Sequence, residues 1–575
     1  MTTDNDLVIR GGLVVDGSGA APRHADVAVK DGRIVAVGEV AARQGEEIDA
    51  TGRLVTPGFI DIHTHYDGQV TWEDRTMPSS AHGVTTAVMG NCGVGFAPCR
   101  PEDRDRLVNL MVGVEDIPEL VMTEGLPWTW QSFPEYLDVV DSRRRDIDVA
   151  AQLPHSALRV FVMGERGAAR EEATEADLAE MARLSREAME AGALGFATSR
   201  SIFHRDGDGA LIPSKDVGEA ELHAIASGLK ATGHGVIEAL IDFDRLEDEF
   251  ALLRRIAERS GRPLSFSLFQ SPRQPTAWRR ALDLVRAANT AGARMRAQVL
   301  GRPTGLLLGL ELSLSPFSYN SAYQAIQHLP LAARVAEMRK PQVRAAILAA
   351  AGAEPPNPLI SAIYNFREMF LLGDPPNYEP PPETTVAAIA ARTGTAPEAV
   401  AYDMLLADDG RTVLFSLLAN YVDGTLEPVL TMLKDENTLL GLGDGGAHYG
   451  MICDAGYPTF MLTYWTRDRK VGERLSIPEV IHALSGAPAE AMSLTDRGIV
   501  APGYKADLNI IDYDRLSLGA PTPVFDLPGG GRRLVQRTEG YDATLVSGVV
   551  TYRQGVATGA LPGRLVRGKA WKRPA

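Results

Sequence analysis

Residues 57–65 read Pro-Gly-Phe-Ile-Asp-Ile-His-Thr-His, an apolar stretch that ends in His63 and His65. The run of apolar residues after Pro-Gly predicts a buried β-strand. Side chains two positions apart lie on the same side of a strand, so both imidazoles can reach one metal ion. The alternative is two ordinary histidines at a strand end, because the His-x-His spacing alone is a weak pattern. Its position directly after an apolar strand favours metal binding.

Further apolar segments of this kind follow along the chain, and helical segments separate them. Together with the first stretch they give eight candidate parallel strands, at residues 58–62, 83–90, 148–153, 195–198, 235–241, 263–269, 294–299 and 438–443. One intervening segment, 174–191, predicts an amphipathic helix with Thr174 and Asp177 as capping residues. Strands that alternate with helices in this number predict an α/β protein with a (β/α)8 TIM barrel.

The two ends of the chain follow a different pattern. Residues 6–55, 506–512 and 541–552 combine β-branched residues with Gly and Asp-Gly turns, which is typical of short antiparallel strands. Because neither end is long enough to stand alone, we expect residues 1–57 and 499–575 to form one small β-sandwich domain. The barrel is then expected to span residues 58–498, with a long insertion at about 303–435.

Composition narrows the classes of function. The chain has 575 residues, with 58 Lys and Arg against 74 Asp and Glu, and its net charge is −16. A surface this acidic disfavours nucleic acid as a partner. Three cysteines are too few for a disulfide framework and favour a reducing compartment. With no secretory signal or membrane-spanning stretch in view, we expect a cytoplasmic homo-oligomer.

Two further residues could join the histidines. Cys92 ends the second strand within Met89–Gly95, where glycines let the backbone approach closely, and a thiolate is a strong zinc ligand. Asp444 ends the last strand, where a carboxylate can bind a metal and accept a proton from water. The alternatives are a buried inert cysteine, which we expect for Cys99 and Cys453, and an Asp-Gly turn.

These residues carry a resemblance to a known family. The strand at 57–65, the Gly-Asn-Cys-Gly turn at 90–93, the phrase Gly498-Ile-Val-Ala-Pro-Gly-Tyr-Lys-Ala-Asp-Leu508 and the β segments at both ends resemble the metal-dependent amidohydrolases of the D-aminoacylase (N-acyl-D-amino-acid deacylase) group. The resemblance covers nearly the whole length. It implies one metal site at His63, His65 and Asp444. It also implies a second site, in which Cys92 joins two histidines from the fifth and sixth barrel strands.

The chain departs from that family at the second site. Its fifth and sixth strands contain no histidine, and Leu240 and Leu268 occupy the expected positions. Glu238 and Asp242 have the right strand parity to replace the missing ligands, although solvated or turn-capping carboxylates are the alternative. We therefore expect one zinc ion per chain, with a second ion as the other outcome.

Polar residues near the barrel rim are candidates for substrate binding. Arginine suits a substrate carboxylate because its planar guanidinium can bind both oxygens. The alternative for each candidate is a loop residue satisfied by the backbone. The candidates are His155, Arg200, His204, Arg205 and His448.

The function implied by the resemblance is zinc-dependent hydrolysis of the amide bond of an N-acyl amino acid, with Asp444 as general base. Alternatives on the same scaffold are hydrolysis of another amide, a lactone, a carbamate or a cyclic amide, and a non-catalytic binding or assembly role. The leucine-rich segment 304–317 follows the seventh strand. It predicts either an apolar wall for a lipophilic acyl chain or a packed core segment.

Overall fold

The computed structural model describes residues 5–41, 45–350, 352–355 and 357–568. Residues 1–4 and 42–44 of the predicted segment 1–57, residues 569–575 of the predicted segment 499–575, and two positions of the insertion therefore lie outside the described residues. None of the helices found in these ranges is long and apolar enough to cross a lipid bilayer.

The described chain alternates between strands and helices over most of its length. The strands are β1 (Leu7–Val14), β2 (Arg23–Lys30), β3 (Arg33–Gly38), β4 (Glu46–Asp49), β5 (Leu54–Pro57), β6 (Phe59–Asp61), β7 (Val84–Met89), β8 (Asp148–Pro154), β9 (Gly195–Ser199), β10 (Val236–Leu240), β11 (Leu264–Ser267), β12 (Met295–Val299), β13 (Thr304–Leu308), β14 (Met369–Leu371), β15 (Leu414–Ala419), β16 (Thr438–Leu440), β17 (Leu508–Ile511), β18 (Ser517–Leu527), β19 (Gly531–Glu539), β20 (Tyr541–Val546), β21 (Val549–Arg553) and β22 (Val556–Ala557). The α-helices are α1 (Arg104–Glu115), α2 (Glu119–Gly125), α3 (Phe133–Ser142), α4 (His155–Met163), α5 (Glu165–Ala168), α6 (Glu175–Glu190), α7 (Glu219–Thr232), α8 (Leu246–Ser260), α9 (Ala277–Thr290), α10 (Ser321–Gln324), α11 (Leu331–Met338), α12 (Pro341–Ala349), α13 (Val386–Thr393), α14 (Pro397–Leu405), α15 (Glu427–Leu433), α16 (Tyr457–Phe460), α17 (Ile477–Leu484) and α18 (Gly486–Ala491).

Eight parallel strands form a TIM-barrel-like domain. They are hydrogen-bonded in the order β16-β12-β11-β10-β9-β8-β7-β6, so strands next to each other in this series are neighbours in the sheet. All eight strands predicted from the sequence are confirmed. The two outer strands meet just beyond their C-terminal ends, where Thr64 and Gly445 form a parallel bridge. The backbone N–H of His65 donates to Gly445 O at 2.8 Å, and that of Asp444 donates to His63 O at 3.0 Å.

The helices cover the barrel because each has one apolar side. Helix α6 begins at the predicted cap: the Thr174 hydroxyl accepts from Asp177 N, and the Asp177 carboxylate accepts from Thr174 N. This reciprocal pair satisfies two backbone donors that a helix start leaves free. The strands beneath are buried on both faces, as β7 is over its whole length, which is the pattern of a parallel sheet enclosed by helices.

The two ends of the chain share one nine-stranded sheet. Its order is β22-β21-β20-β17-β5-β1-β2-β3, with β4 paired to β1, and the strands β5 and β17 join the two ends. A separate apolar cluster, which includes Ile9, Val27, Val55, Ile510 and Leu545, forms its core. The β unit made from both ends is therefore present as one sheet. The sandwich arrangement and the domain limits stay predictions.

The segment after the seventh barrel strand forms a layer of its own. Strands β13, β15 and β14 make a small antiparallel sheet against which α11 to α14 pack. Alternate leucines of the 304–317 segment lie in this core, and Leu307 and Leu312 lie in the main core: Leu306 and Leu308 are 0% exposed, and Leu310 is 2% exposed. The structure therefore places these leucines in a packed core, which is the second of the two interpretations that the sequence left open.

A buried ion cluster ties the barrel to the terminal sheet. The Asp148 carboxylate, on strand β8, accepts from Arg497 Nη1 at 2.6 Å and lies 2.8 Å from Lys505 Nζ. Burial alone would raise the pKa of Asp148, but the charges of Lys505 and Arg497 outweigh burial and lower the pKa to about 2. The ionised carboxylate is thus favoured in the folded protein.

We expect Asp148→Asn to lower the free energy of unfolding by about 1.5 to 3 kcal/mol, because it removes the charged acceptor that Arg497 and Lys505 share and leaves them with Asp496 and Asp507. The pKa of Asp148 in the folded protein lies below its ordinary value. The contribution of its ionised carboxylate to stability is therefore present above about pH 4 and is lost as pH falls towards 2. Urea unfolding at several pH values measures both effects.

The control is Asp403→Asn, which removes the 60%-exposed partner of Arg344, itself 40% exposed. An exposed pair is worth less than about 1 kcal/mol. Equal losses in the two variants would contradict a special role for the cluster.

Candidate metal centre and active site

The centre of the site is the end of strand β6. His63 and His65 are each 1% exposed, and their ring centroids are 5.6 Å apart. Candidate ligand atoms of His63, His65 and Cys92 all lie within 4.8 Å of one another. The Cys92 sulfur is 3.3 Å from His63 Nε2. Two imidazoles and a thiol at this separation can bind one metal ion.

Asp444 reaches the same point from the other edge of the barrel sheet. Its Oδ1 lies 3.5 Å from His63 Nε2 and 3.6 Å from His65 Nε2. Burial opposes ionisation, but the hydrogen bond from His65 and the nearby histidine charges outweigh it and lower the pKa of Asp444. Its side chain is 23% exposed, whereas those of the two histidines are almost fully enclosed. Asp444 is therefore an ionised carboxylate on the open side of the site.

The far sides of the two imidazoles have polar partners that sequence reasoning missed. His63 Nδ1 lies 2.9 Å from Gln298 Oε1, and His65 Nδ1 lies 3.3 Å from Glu115 Oε1. A partner at Nδ1 turns Nε2 towards a metal and fixes the tautomer. Gln298 is a polar residue within a mostly apolar barrel strand, and this pattern could have identified it from the sequence. Glu115 ends helix α1 and has no such signal.

Cys92 occupies a tight turn between strand β7 and the site. Its φ of 55° is in the left-handed region, and its backbone N–H donates to Glu238 Oε2 at 3.0 Å. Burial and the nearby carboxylates of Glu238, Glu115 and Asp444 raise the pKa of the Cys92 thiol. A bound cation reverses that effect, because metal coordination deprotonates a thiol.

The two proposed replacement ligands differ in position. Glu238 is 0% exposed, its Oε1 lies 3.9 Å from His63 Nδ1, and burial raises its pKa to about 7. Asp242 instead accepts from the backbone N–H of Ile202 at 3.1 Å and lies 3.5 Å from Lys215 Nζ. Asp242 therefore has the contacts of a turn-capping carboxylate, and Glu238 is the one that faces the candidate metal site.

The polar atoms around the site fit a cation. Within the part of the chain that the structure describes, Glu238 Oε1 is buried without a hydrogen-bond partner, and His65 Nδ1 and Glu115 Oε1, although 3.3 Å apart, form no hydrogen bond. Buried polar atoms are ordinarily paired, and buried carboxylates need a cation or a proton. Nitrogen, sulfur and carboxylate donors together are the set that zinc prefers. The residues present thus fit a bound zinc ion.

The five rim candidates fall into two groups. His155 is bonded to Thr198 and Glu221, and Arg200 to Glu249, so their polar groups are already paired. Arg205 donates to Gly209 O at 2.8 Å. The other two candidates are His204 and His448, whose Nδ1 atoms have no hydrogen-bond partner among the described residues. Both lie close enough to His63 and His65 for the charges of those histidines to affect their pKa.

His204 and His448 are neutral imidazoles in this environment. Burial, with smaller contributions from the site histidines, lowers the pKa of His204 to about 3. Burial likewise lowers the pKa of His448 to about 4. His448 Nε2 lies 3.6 Å from Glu115 Oε2, so Glu115 lies between His448 and His65. A cavity of about 10 Å³ beside Asp444 has room for one water molecule.

Comparison with known proteins identifies the family. The amidohydrolase family model matches residues 46–552. The chain belongs to the amidohydrolase family. A crystal structure of D-aminoacylase covers 98% of this chain and 100% of its own, with a TM-score of 0.64 at 22% identity. N-acyl-D-glutamate deacylase from Bordetella bronchiseptica gives a TM-score of 0.63, also at 22% identity, with the same coverage of both chains. These likenesses support the barrel fold.

Similarity in sequence extends over different lengths. An uncharacterized protein of Mycobacterium tuberculosis (strain ATCC 25618 / H37Rv) is 29% identical over 96% of this chain and 93% of its own length. N-acyl-D-aspartate deacylase from Alcaligenes xylosoxydans xylosoxydans is 37% identical over 34% of this chain and 36% of its own. The match to the deacylase covers about a third of the chain and agrees with the resemblance of the sequence motifs to the D-aminoacylase group.

We expect His63→Ala to lose bound metal, because it removes a central ligand, while Asp242→Asn keeps it. Glu238→Gln distinguishes one ion from two: the one-ion arrangement predicts unchanged metal content. Plasma emission spectroscopy on dialysed protein measures zinc per chain, and about one equivalent is expected in the unmodified chain. Two equivalents, of which Glu238→Gln removes one, would make Glu238 a ligand of a second ion.

Proposed function

We propose that this amidohydrolase is a zinc-dependent deacylase of N-acyl amino acids. The observation that carries the proposal is the convergence of His63, His65, Cys92 and Asp444 at the barrel mouth. Candidate ligand atoms of the first three lie within 4.8 Å of one another, and Asp444 Oδ1 is 3.5 Å from His63 Nε2. Relatives that match about a third of the chain support the substrate class: D-aminoacylase, N-acyl-D-aspartate deacylase and N-acyl-D-glutamate deacylase.

A bound zinc ion would polarise the acyl carbonyl and lower the pKa of a water molecule to about 7. In the proposal, His63, His65, Asp444 and Cys92 hold this ion. Gln298 fixes His63, since its Oε1 lies 2.9 Å from His63 Nδ1. Asp444 accepts a proton from the attacking water and delivers it to the departing amine. The low pKa of Asp444 keeps it ionised before the reaction.

One metal ion is the simplest arrangement for these residues. Leu240 and Leu268 stand where the family resemblance expects histidines, and Leu268 is 0% exposed. D-aminoacylase has been described with a binuclear centre, with one-metal activation and second-metal attenuation. Zinc as the metal, a single ion, a homo-oligomer and a cytoplasmic location stay predictions for this chain.

We expect release of free amine from N-acyl-D-amino acids in a screen of D and L substrates with different acyl lengths. The zinc content is measured on the same sample. Lactones, carbamates and cyclic amides are screened in parallel. Turnover of only those compounds would change the substrate class. Metal-loaded protein without any turnover would favour the non-catalytic role.

Replacing the proposed base gives a sharper test. Asp444→Asn keeps the side-chain volume but removes the proton acceptor, and loss of a general base costs about 10²- to 10⁴-fold in rate. We expect such a fall in kcat, with zinc measured on the same sample to separate base loss from ligand loss. Asp242→Asn is the matched control and should keep kcat. A metal-loaded Asp444→Asn enzyme with nearly full kcat would refute the mechanism.

A further inference from the structure

A second cavity lies apart from the metal-site candidates. Its volume is about 360 Å³, and it is bounded by the 309–318 segment, helices α10 and α11 and the β18–β19 hairpin. Its apolar lining includes Leu312, Leu314 and Phe525. Its charged lining consists of Glu311, Arg334 and Arg532. A volume of this size suits a small organic molecule.

Among the described residues, the two arginines of this cavity form no ion pair within 4.0 Å, although the more distant Asp116 charge acts on Arg532. Arg532 donates to Glu311 O at 2.6 Å and to Ser313 Oγ at 2.9 Å, and its Nε is buried without a partner. Arg334 donates to Leu310 O at 2.6 Å, to Leu329 O at 2.9 Å and to the Tyr323 hydroxyl at 3.1 Å, so one N–H of its Nη2 is left for a ligand while its charge has no carboxylate partner. Over residues 5–568, apart from the few positions left undescribed, neither guanidinium lies within 4.0 Å of a carboxylate, unlike the adjacent Arg533, which pairs with Glu73.

The carboxylate of Glu311 completes the set. It lines the same cavity and forms no ion pair within 4.0 Å with any described residue, although its charge acts on Arg532. Two guanidiniums suit one carboxylate of a ligand, because arginine binds that group through two N–H donors. A lone carboxylate on the wall suits an ammonium group and repels a dianion such as phosphate.

From this arrangement we propose that the cavity binds a free amino acid with an apolar side chain. Arg334 and Arg532 bind its carboxylate, Glu311 binds its ammonium group, and the leucine and Phe525 side chains receive its apolar side chain. The inference goes beyond the proposed deacylase function and does not depend on it, since binding is measured without turnover.

A short series of hydrogen-bonded residues connects the cavity to the metal-site candidates. Asp116 accepts from Ser313 Oγ at 3.3 Å on the cavity side and from Gly450 N at 3.0 Å on the other. The residue before Asp116 is Glu115, which lies 3.3 Å from His65 Nδ1. An amino acid bound here would therefore contact the wall that also supports the site histidines.

Isothermal titration calorimetry of the metal-loaded protein tests the proposal with a matched set of probes. These are leucine in both enantiomers, 4-methylpentanoate, which lacks the ammonium group, and 3-methylbutylamine, which lacks the carboxylate. We expect one leucine enantiomer to bind, with each truncated probe weaker by about tenfold or more, since a charge-assisted hydrogen bond is lost. Absence of leucine binding at millimolar concentration would overturn the proposal.

Variants separate this cavity from the metal centre, where a product amino acid could also bind. Arg532→Gln and Arg334→Gln should each weaken leucine binding about tenfold or more, whereas Glu311→Gln should weaken leucine but not 4-methylpentanoate. Arg339→Gln is the control, because Arg339 lies just beyond α11 and pairs with exposed Asp409. Leucine affinity unchanged in both arginine variants would overturn the proposal.

A further variant guards against misfolding of the arginine variants. Phe525 is 62% exposed, so Phe525→Ala removes part of the apolar wall with little effect on the folded core. We expect it to weaken leucine binding several-fold and to leave glycine binding unchanged, since glycine has no side chain for that wall. Equal leucine affinity in Phe525→Ala and the unmodified protein would place the apolar side chain elsewhere.

Discussion

The backbone bridge between the first and last barrel strands is the constraint on which the site depends. His65 N–H donates to Gly445 O at 2.8 Å, and Asp444 N–H donates to His63 O at 3.0 Å. The same few residues thus close the barrel and carry three of the candidate metal ligands. Asp444 has a φ of 48°, and this left-handed turn lets its backbone donate to one strand while its carboxylate faces both imidazoles. Loss of the bridge would therefore affect folding and metal binding together.

The site is also a concentration of buried carboxyl groups. Burial raises the pKa of Glu238 to about 7 and that of Glu115 well above its ordinary value, while Asp444 remains ionised. A cation at the centre would relieve this repulsion, because it favours the charged form of every carboxylate around it. The same charge that suits a metal would make the metal-free site unfavourable. We therefore expect metal binding and stability of the barrel mouth to be coupled.

The insertion shows how one segment can serve packing and recognition at once. In the 304–317 segment, Leu306, Leu308 and Leu310 fill the insertion core, and Glu311 and Ser313 line the second cavity. Ser313 is hydrogen-bonded to both Arg532 and Asp116. The polar positions thus link the terminal hairpin, the insertion and the segment that ends in Glu115. Hydrophobic burial holds the segment in place, and its few polar residues define the second cavity.

The sequence by itself determined the eight barrel strands, the cap of helix α6 and the positions of His63, His65, Cys92 and Asp444, because apolar runs and strand ends are local properties. It could not find Glu115, which comes from the end of α1 and reaches His65 only after folding. Nor could it decide between Glu238 and Asp242, which have the same strand parity, until the Asp242 carboxylate was found bonded to Ile202 N. The cavity of Arg334, Arg532 and Glu311 joins residues about 200 positions apart. Only the tertiary structure decided these pairings, because a side chain's partners depend on which elements pack against it, and local sequence does not encode that packing.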